Sequence, residues 1–142
     1  MNPERPSPAS DLLSAPFFEA LSQARLTIQK CAQCGTRQLG QMFCVACSSR
    51  DLAWSDASGR GVVHALTRLH LAYHPAFAAE LPYNAVTVEL EEGPRLYANV
   101  VDDDDMQAAT DPVPVSIGMA VEVRFSRLSS GVTVPVFARR PT

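Results

Sequence analysis

All four cysteines of this 142-residue chain form two C-x-x-C pairs, Cys31 with Cys34 and Cys44 with Cys47. Structural Zn²⁺ prefers four soft or borderline ligands in a tetrahedron, and each C-x-x-C turn presents two thiolates to the metal. The pattern therefore predicts a zinc ribbon with one structural ion, whose closed shell leaves no position for a reacting water. The alternatives are two redox-active dithiols or incidental cysteine pairs.

Charge and composition narrow the class of protein. The formal net charge is -3, and Lys30 is the only lysine. Sequence-independent binding of nucleic acid needs clustered Lys and Arg, so this charge argues against it. We find no signal-peptide pattern and no apolar run near the ~20 residues of a membrane span. We therefore expect a cytoplasmic protein, in which paired cysteines are more often metal ligands than disulfides.

The N-terminal region is expected to order only gradually. Residues 1–15 are rich in proline and serine and are predicted to form a flexible lead. Residues 17–25 carry apolar side chains at helical spacing, with Ser14 as the expected cap and Pro16 in the first turn. Such a short helix is marginal alone, so it should pack on the rest of the protein or on a partner.

Short strands are predicted around the cysteine pairs. Residues 26–30 should deliver the first pair and residues 41–43 the second, while residues 51–55 return alongside them. Gly35 permits the tight turn after Cys34. Trp54 is expected to pack between the ribbon and the domain that follows.

The sequence changes after residue 57 to alternating runs that are typical of β-strands. A hinge with two glycines at residues 58–61 precedes five predicted strands, at residues 62–71, 83–90, 95–101, 120–128 and 132–137. Hairpin turns are expected at residues 91–94, where Gly93 can take a positive φ, and at residues 129–131. Five strands without intervening helices predict a barrel of the OB type, with an SH3-like barrel as the alternative.

The expected fold is therefore mainly β. Residues 16–57 should form the short helix and the zinc ribbon, and residues 58–142 a five-stranded OB-fold barrel. Residues 72–82 are rich in apolar side chains for a loop, which suggests that they cover something. The connection from 102 to 119 begins with four aspartates and is interpreted as a solvated surface loop rather than a cation site.

No catalytic motif is evident. The chain has no nucleophile elbow, no H-E-x-x-H and no glycine-rich phosphate loop. The histidines His64, His70 and His74 are expected at the surface or rim, with His74 the strongest candidate for an exception. We therefore expect no catalytic residues in this chain.

The order of these motifs resembles that of a known family. C-x-x-C-G and C-x-x-C are followed by a tryptophan strand, by S-G-R-G-V-V from residue 58, L-P-Y from residue 81 and I-G-M-A-V from residue 117. This order is similar to that of acyl-CoA-associated proteins with an N-terminal rubredoxin-like zinc ribbon and a C-terminal OB fold, long catalogued as a domain of unknown function. The resemblance covers about residues 16–140.

The resemblance implies an accessory subunit in acyl-CoA metabolism, such as lipid, steroid or aromatic degradation. The catalytic residues would belong to a thiolase, a thiolase-fold aldolase or acyltransferase, or a MaoC-like enoyl-CoA hydratase. The implied assembly is a heterotetramer around a partner dimer. The helix with Phe17 and Phe18 would dock the partner.

The resemblance also implies contact with a CoA thioester. The apolar loop is the expected contact, because OB folds often bind through the connections next to their first three strands. Tyr73, Phe77, Pro82 and Tyr83 would line a hydrophobic passage for pantetheine or the acyl chain, and His74 is a further candidate for ligand or partner contact. Arg60, Arg68 or Arg139 would meet a CoA phosphate. Two alternatives remain open: Phe77 plugs the end of the barrel, or the OB fold is a nucleic-acid-binding module with tyrosine stacking platforms.

Overall fold

The computed structural model of the chain describes residues 6–102 and 114–141. Within these ranges the chain forms one α-helix, eight strands and one 3₁₀ helix. In chain order these are α1 (Ala15–Ser22), β1 (Thr27–Cys31), β2 (Arg37–Gln38), β3 (Leu52–Asp56), β4 (Arg60–Leu69), the 3₁₀ helix (Pro75–Glu80), β5 (Tyr83–Leu90), β6 (Arg95–Ala98), β7 (Ala120–Arg127) and β8 (Thr133–Arg139).

Helix α1 ends three residues before the predicted range 17–25 does. The N–H of Ala24 donates to the carbonyl of Leu21 at 3.0 Å, and the N–H of Arg25 donates to that of Ala20 at 2.9 Å. Ala24 has a φ of 58°, so these bonds form a Schellman motif with alanine where glycine is usual. Because alanine favours helix continuation, the sequence carried no stop signal and the predicted end was wrong.

The start of α1 also differs from the prediction. Ser14 occupies the N-cap position, but its side chain makes no capping hydrogen bond, so the predicted cap was wrong in that respect. Its hydroxyl instead donates to Asp11 Oδ1 at 3.0 Å, and the N–H of Asp11 donates to Ser14 Oγ at 3.0 Å. The proline predicted in the first turn is there.

The ribbon is a three-stranded antiparallel sheet in the order β2-β1-β3. Strands β1 and β3 lie one residue beyond their predicted positions. The strand predicted at residues 41–43 does not form; β2, at Arg37–Gln38, pairs with β1 instead. The backbone of residues 41–43 forms hydrogen bonds with the side chains of Gln29 and Gln38 rather than with a neighbouring strand.

The second sheet has five strands in the order β6-β5-β4-β7-β8. Its strands alternate between buried and partly exposed residues, most regularly in β5. A parallel bridge between Val100 and Phe137 joins the segment after β6 to β8 and curls the sheet into a half-barrel. This is the arrangement of an OB fold, so the predicted mainly β fold class is confirmed.

The predicted barrel strands agree with the observed ones to within three residues at each end. The hinge predicted at residues 58–61 was wrong. Gly61 lies inside β4, where a Cβ would come within 2.5 Å of the Glu89 carbonyl oxygen. A Cβ on Gly59, whose φ is 80°, would come within 2.5 Å of Val123 Cγ1. These glycines permit close packing of β4 on its neighbours rather than bending.

One cluster of buried apolar side chains joins the ribbon to the barrel. Leu21 of α1 and Ile28 of β1 are each 1% exposed and belong to the same cluster as Val63 and Val88 of the barrel. Trp54 of β3 borders a pocket that also contains Leu96 of β6 and Leu13. Its ring lies 6.3 Å from that of Phe17, so the tryptophan packs against the helix, and its predicted contact with the barrel stays a prediction.

Two expectations meet the limits of the described ranges. Most of the aspartate-rich connection, residues 103–113, lies outside them, so its interpretation as a solvated loop stays a prediction. Among the residues that the structure describes, no helix is both long and apolar enough to cross a membrane.

Candidate functional site

The four cysteine sulfurs converge at the end of the ribbon. Cys31 Sγ lies 3.6 Å from Cys47 Sγ, and Cys34 Sγ lies 3.5 Å from Cys44 Sγ. All four Sγ atoms lie within 4.8 Å of one another. A tetrahedron with metal–sulfur bonds of ~2.3 Å needs sulfurs ~3.8 Å apart, so the four thiols fit one thiophilic metal ion.

The two C-x-x-C turns have the same backbone geometry. In the first, the N–H of Gly35 donates to the Cys31 carbonyl and the N–H of Cys31 to the Thr36 carbonyl, both at 2.9 Å. In the second, Ser48 and Cys44 take the corresponding roles at 2.9 and 2.8 Å. Gly35 has a φ of 77° and Ser48 a φ of 66°, so each turn closes through a left-handed residue.

Hydrogen bonds favour the metal-binding thiolate form of Cys44 and Cys34. At Cys47 a hydrogen bond with the Ser49 backbone acts in the same direction, but desolvation and the three neighbouring sulfurs outweigh it and raise the pKa to about 12. The backbone N–H of Cys47 is the main cause that lowers the pKa of Cys44 to about 6; the N–H of Ala46 helps, and desolvation opposes it. The Thr36 hydroxyl lies 3.0 Å from Cys34 Sγ and lowers the pKa of Cys34.

Two buried glutamines hold the loop that carries the second pair. Gln29 Oε1 accepts from Gln38 Nε2 at 3.0 Å and from the N–H of Gln41 at 2.9 Å. Gln38 also donates to the Phe43 carbonyl at 3.0 Å and accepts from the N–H of Val45 at 2.9 Å. These side chains satisfy backbone groups that a strand would otherwise pair, which explains why residues 41–43 form none.

The apolar loop gathers three of its predicted contact residues. The rings of His74 and Phe77 lie 6.2 Å apart, and those of Phe77 and Tyr83 lie 5.5 Å apart. Pro82, which follows a cis peptide bond, is half-buried beside them. Tyr73 is 81% exposed and stays apart from this stack.

Phe77 also borders a largely apolar groove of about 440 Å³ on the barrel. Phe17 and Phe18 of α1 border the same groove, with their rings 5.6 Å apart. Both are half-buried, and Phe17 lies 6.3 Å from Trp54. The groove thus connects the predicted docking helix with the predicted contact loop.

The predicted arginines separate into two places. Arg68 and Arg139, together with Arg140, border a second cavity of about 630 Å³. Arg60 is not among its lining residues; its Nε lies 3.5 Å from Glu91 Oε1. Arg140 Nη1 lies 3.6 Å from the same carboxylate oxygen. The aromatic stack and the arginine pair therefore border different cavities.

The histidines occupy dissimilar surroundings. His64 Nδ1 lies 3.6 Å from Glu89 Oε2 at the surface, and His70 is exposed. His74 Nδ1 accepts from the N–H of Ala76 at 3.1 Å and so caps the 3₁₀ helix. This bond gives His74 a structural role that the sequence did not suggest.

Comparison with known proteins identifies the barrel. The sequence model of the family described as "ChsH2, C-terminal OB-fold domain" matches residues 54–126, about half of the chain. The chain belongs to this family. The SH3-like alternative is thereby excluded.

Two curated proteins extend the ChsH2-family match beyond the barrel. A "probable enoyl-CoA hydratase alpha subunit" of Thermomonospora curvata is 39% identical over 134 residues, which are 94% of this chain and 39% of that protein. A "DUF35 domain-containing scaffold protein" of Methanocaldococcus jannaschii is 32% identical over 70% of this chain and 66% of its own length. The chain thus spans less than half of the first relative and about two thirds of the second.

Solved structures agree with the family assignment. A chain of the "Ltp2-ChsH2(DUF35) aldolase" has a TM-score of 0.79 and 36% identity, covering 94% of this chain and 98% of that one. A DUF35 protein of unknown function from Sulfolobus solfataricus has a TM-score of 0.61 at 12% identity over 92% of this chain and 87% of its own, and shows the shared fold alone.

Several residues that shape the site in this ChsH2-family chain were not predicted from the sequence. Gln29 and Gln38 are 4% and 5% exposed, yet a glutamine in a polar stretch gives no local sign of burial. The only available signal was their proximity in sequence to the cysteine pairs. Ser48 could have been found by aligning the two C-x-x-C turns, since it stands where the first turn has Gly35.

Proposed function

We propose that this chain is a non-catalytic accessory subunit of an acyl-CoA-processing enzyme complex. One observation carries the proposal: 94% of the chain matches a protein named as a hydratase subunit, and 94% also matches a chain of a complex named as an aldolase. Two different chemistries on one kind of domain favour a shared supporting role. The catalytic partner would be a MaoC-like enoyl-CoA hydratase or a thiolase-fold enzyme, and the complex a cytoplasmic heterotetramer.

We further propose that the cysteine cluster holds one Zn²⁺ with a structural role. Four thiolates complete a tetrahedral shell, so the ion would have no open position for substrate or water. The ion would hold the two C-x-x-C turns together and thereby the end of the ribbon. Residues 16–57 would then act as a helix-and-ribbon unit on the OB fold of residues 58–142.

The acyl-CoA would pass along this subunit rather than react on it. His74 Nδ1 is already bonded to a backbone N–H, and His64 faces Glu89 at the surface. Neither histidine belongs to the metal-binding cluster found in the described residues. We propose that the stack of His74, Phe77 and Tyr83 contacts the acyl or pantetheine part.

Arg139 and Arg68 are the arginines that we propose for a CoA phosphate. They border one cavity, and a guanidinium binds phosphate oxygens through a pair of parallel hydrogen bonds. Arg60 is less suited, because its guanidinium lies beside Glu91. Phe17 and Phe18 would contact the partner through their exposed portions.

Co-expression with a candidate partner tests the central proposal. The chain should elute with a MaoC-like hydratase or a thiolase-fold subunit on size exclusion, at a mass that corresponds to two copies of each. Acyl-CoA turnover should require both subunits. A chain that stays monomeric in the presence of both partner classes would refute the proposed function.

A paired substitution tests the contact residues. Phe77→Ala should lower acyl-CoA turnover by the complex, whereas Met42→Ala, a change at an exposed ribbon residue outside the stack and the groove, should not. If Phe77→Ala instead unfolds the chain without a specific defect in turnover or assembly, Phe77 is a plug of the barrel. Tight, salt-dependent binding of single-stranded oligonucleotides would favour the nucleic-acid alternative.

A further inference from the structure

Strand β8 and the chain segment that contains β6 meet along one line of the barrel, which we call the seam. Hydrogen bonds close one end of the seam, and the other end is open. At its closed end the N–H of Phe137 donates to the Asn99 carbonyl at 3.0 Å, and the N–H of Val101 donates to the Phe137 carbonyl at 2.8 Å. Away from these two bonds, β6 and β8 form no ladder in the described residues.

Pro135 explains why the pairing stops. The N–H of Leu128 donates to the Val132 carbonyl, so every second residue of β8 from Val132 onward forms its backbone hydrogen bonds with β7. The residues between them, Thr133, Pro135 and Phe137, therefore turn their backbone groups toward the seam. The next seam-facing residue before Phe137 is therefore Pro135. Proline has no N–H, so β8 cannot donate a ladder bond at this position.

The facing edge of β6 keeps its backbone groups available. The N–H of Leu90 donates to the Pro94 carbonyl, which sets the pairs Val88 with Leu96 and Val86 with Ala98 as the hydrogen-bonded ones. Tyr97 therefore turns its N–H and carbonyl away from β5 and toward the seam. Within the described residues these two groups have no hydrogen-bond partner, and the Tyr97 side chain is 88% exposed.

The open part of the seam is the apolar groove of about 440 Å³. Its walls include Leu96 and Tyr97 on the β6 side and Val134 and Pro135 on the β8 side. Alternate side chains of an extended polypeptide would point into such a groove while its backbone pairs with the exposed edge. An acyl chain would fill the groove but would leave the Tyr97 backbone groups unpaired.

A segment of the chain itself already lies across the groove. Pro6 and Pro8 border it, and Ser7 Oγ lies 2.9 Å from Ser130 Oγ of the β7–β8 turn. Two of these three residues lack an N–H, so the segment rests on the seam without pairing with the β6 edge. Polypeptide is thus accommodated at this surface while the edge stays available.

We infer that the outer edge of β6 is a docking site for an extended strand of the enzyme subunit, which pairs with the Tyr97 backbone and places apolar side chains in the groove. This inference rests on the proposed function, since it needs an enzyme subunit as partner. Hydrogen-bond complementarity decides the class of occupant: an unpaired N–H and carbonyl on a strand edge are both satisfied by another strand.

Backbone substitution at position 97 tests the inference in the co-expressed complex. Tyr97→Pro removes the seam-facing N–H but no bond to β5, so the free chain should keep its circular dichroism and zinc content. Its affinity for the enzyme subunit should fall about tenfold or more, as expected for a buried acceptor left unpaired. Tyr97→Ala keeps the N–H and should bind with less than half of that loss in free energy.

Hydrogen exchange gives a readout that does not depend on a variant. In the wild-type chain the Tyr97 amide should exchange fast when free and slowly in the complex. If the wild-type chain joins neither enzyme, the proposed function and this inference both fail. If it assembles while the Tyr97 amide stays fast and Tyr97→Pro binds normally, only the inference fails. If Tyr97→Pro binds the enzyme subunit normally but the complex selectively loses turnover of long-chain acyl-CoA, the groove belongs to the acyl chain and the inference is overturned.

Discussion

Three residues with positive φ control how the ribbon and its helix turn, and only one of them is glycine. Gly35 and Ser48 close the two C-x-x-C turns, and Ala24 ends helix α1. A left-handed conformation costs a residue with a Cβ about 1–2 kcal/mol. The fold therefore holds Ser48 and Ala24 in conformations that neither residue favours alone.

The two C-x-x-C turns offer a matched test of that cost. Gly35→Ala should lower the free energy of unfolding of the metal-loaded chain by about 1–2 kcal/mol, since no neighbouring atom lies within 4 Å and only the backbone resists. Ser48→Gly should raise it by about 0.5–1 kcal/mol, because glycine relieves the strain but gains freedom when unfolded. Denaturant unfolding measures both. A loss of stability in Ser48→Gly would show that the serine side chain contributes more than its backbone costs.

At the scale of elements, polar side chains make hydrogen bonds that local patterns assign to a strand or to a helix cap elsewhere. Gln29 and Gln38 form hydrogen bonds with backbone groups of residues 41–45. His74 caps the 3₁₀ helix at Pro75–Glu80 with its ring nitrogen. Both devices join residues that are close in space, and neither follows a periodic rule of sequence.

Removing the glutamine network should loosen the metal site. Gln38→Leu removes two partly buried hydrogen bonds, to the Val45 N–H and to the Phe43 carbonyl, at a cost of about 0.5–1.5 kcal/mol each. We expect zinc affinity, measured by competition with a chromophoric chelator, to fall about 10–100-fold. The control is Gln33→Leu, an exposed glutamine between Cys31 and Cys34 that should leave affinity unchanged. Equal affinities in both variants would contradict a role for the network.

Substitutions of His74, which caps the 3₁₀ helix, distinguish a structural role of this histidine from a catalytic one. His74→Ala should destabilise the chain by about 0.5–2 kcal/mol through loss of the acceptor for the Ala76 N–H, and His74→Asn should recover most of it. Turnover by the assembled complex should follow the same order. An Asn variant that is stable and assembled but inactive would mean that His74 takes part in catalysis.

At the scale of the whole molecule, the larger of two buried clusters in the described residues contains side chains of both the ribbon and the barrel, and this couples them. Leu21, Leu26 and Ile28 from the helix and ribbon lie in the same cluster as the barrel valines. Loss of order in the ribbon therefore exposes surface that the barrel also buries. Metal binding at one end should stabilise the barrel at the other.

Cys34→Ser tests that coupling. A structural Zn²⁺ contributes about 10–16 kcal/mol of binding free energy in zinc-finger peptides, so a missing ligand should release the ion and lower the melting temperature of the entire chain. Calorimetry should show one transition that moves as a whole, and assembly with the enzyme subunit should weaken. Ala32→Ser, an exposed change in the same turn, is the control. A barrel transition that stays in place while the ribbon melts separately would disprove the coupling.

Periodic and chemical patterns in the sequence predicted most of the fold. Tyr83–Leu90 was predicted at its observed bounds because its alternation extends over the whole strand, and both hairpin glycines have positive φ as their turns require. The errors lie where local preference and packing disagree. Residues 58–61 contain two glycines and suggest flexibility, yet those glycines permit contact with Glu89 and Val123.

The sequence by itself determined the cysteine cluster and the approximate bounds of the barrel strands, because cysteine spacing and strand alternation are local properties. Tertiary structure decided the rest. It placed Pro135 and Tyr97 on the two sides of one groove, and it brought Phe17, Phe77 and Leu96 around the same groove. Such surfaces depend on which backbone groups remain unpaired after folding, and that is settled only when strands far apart in sequence meet.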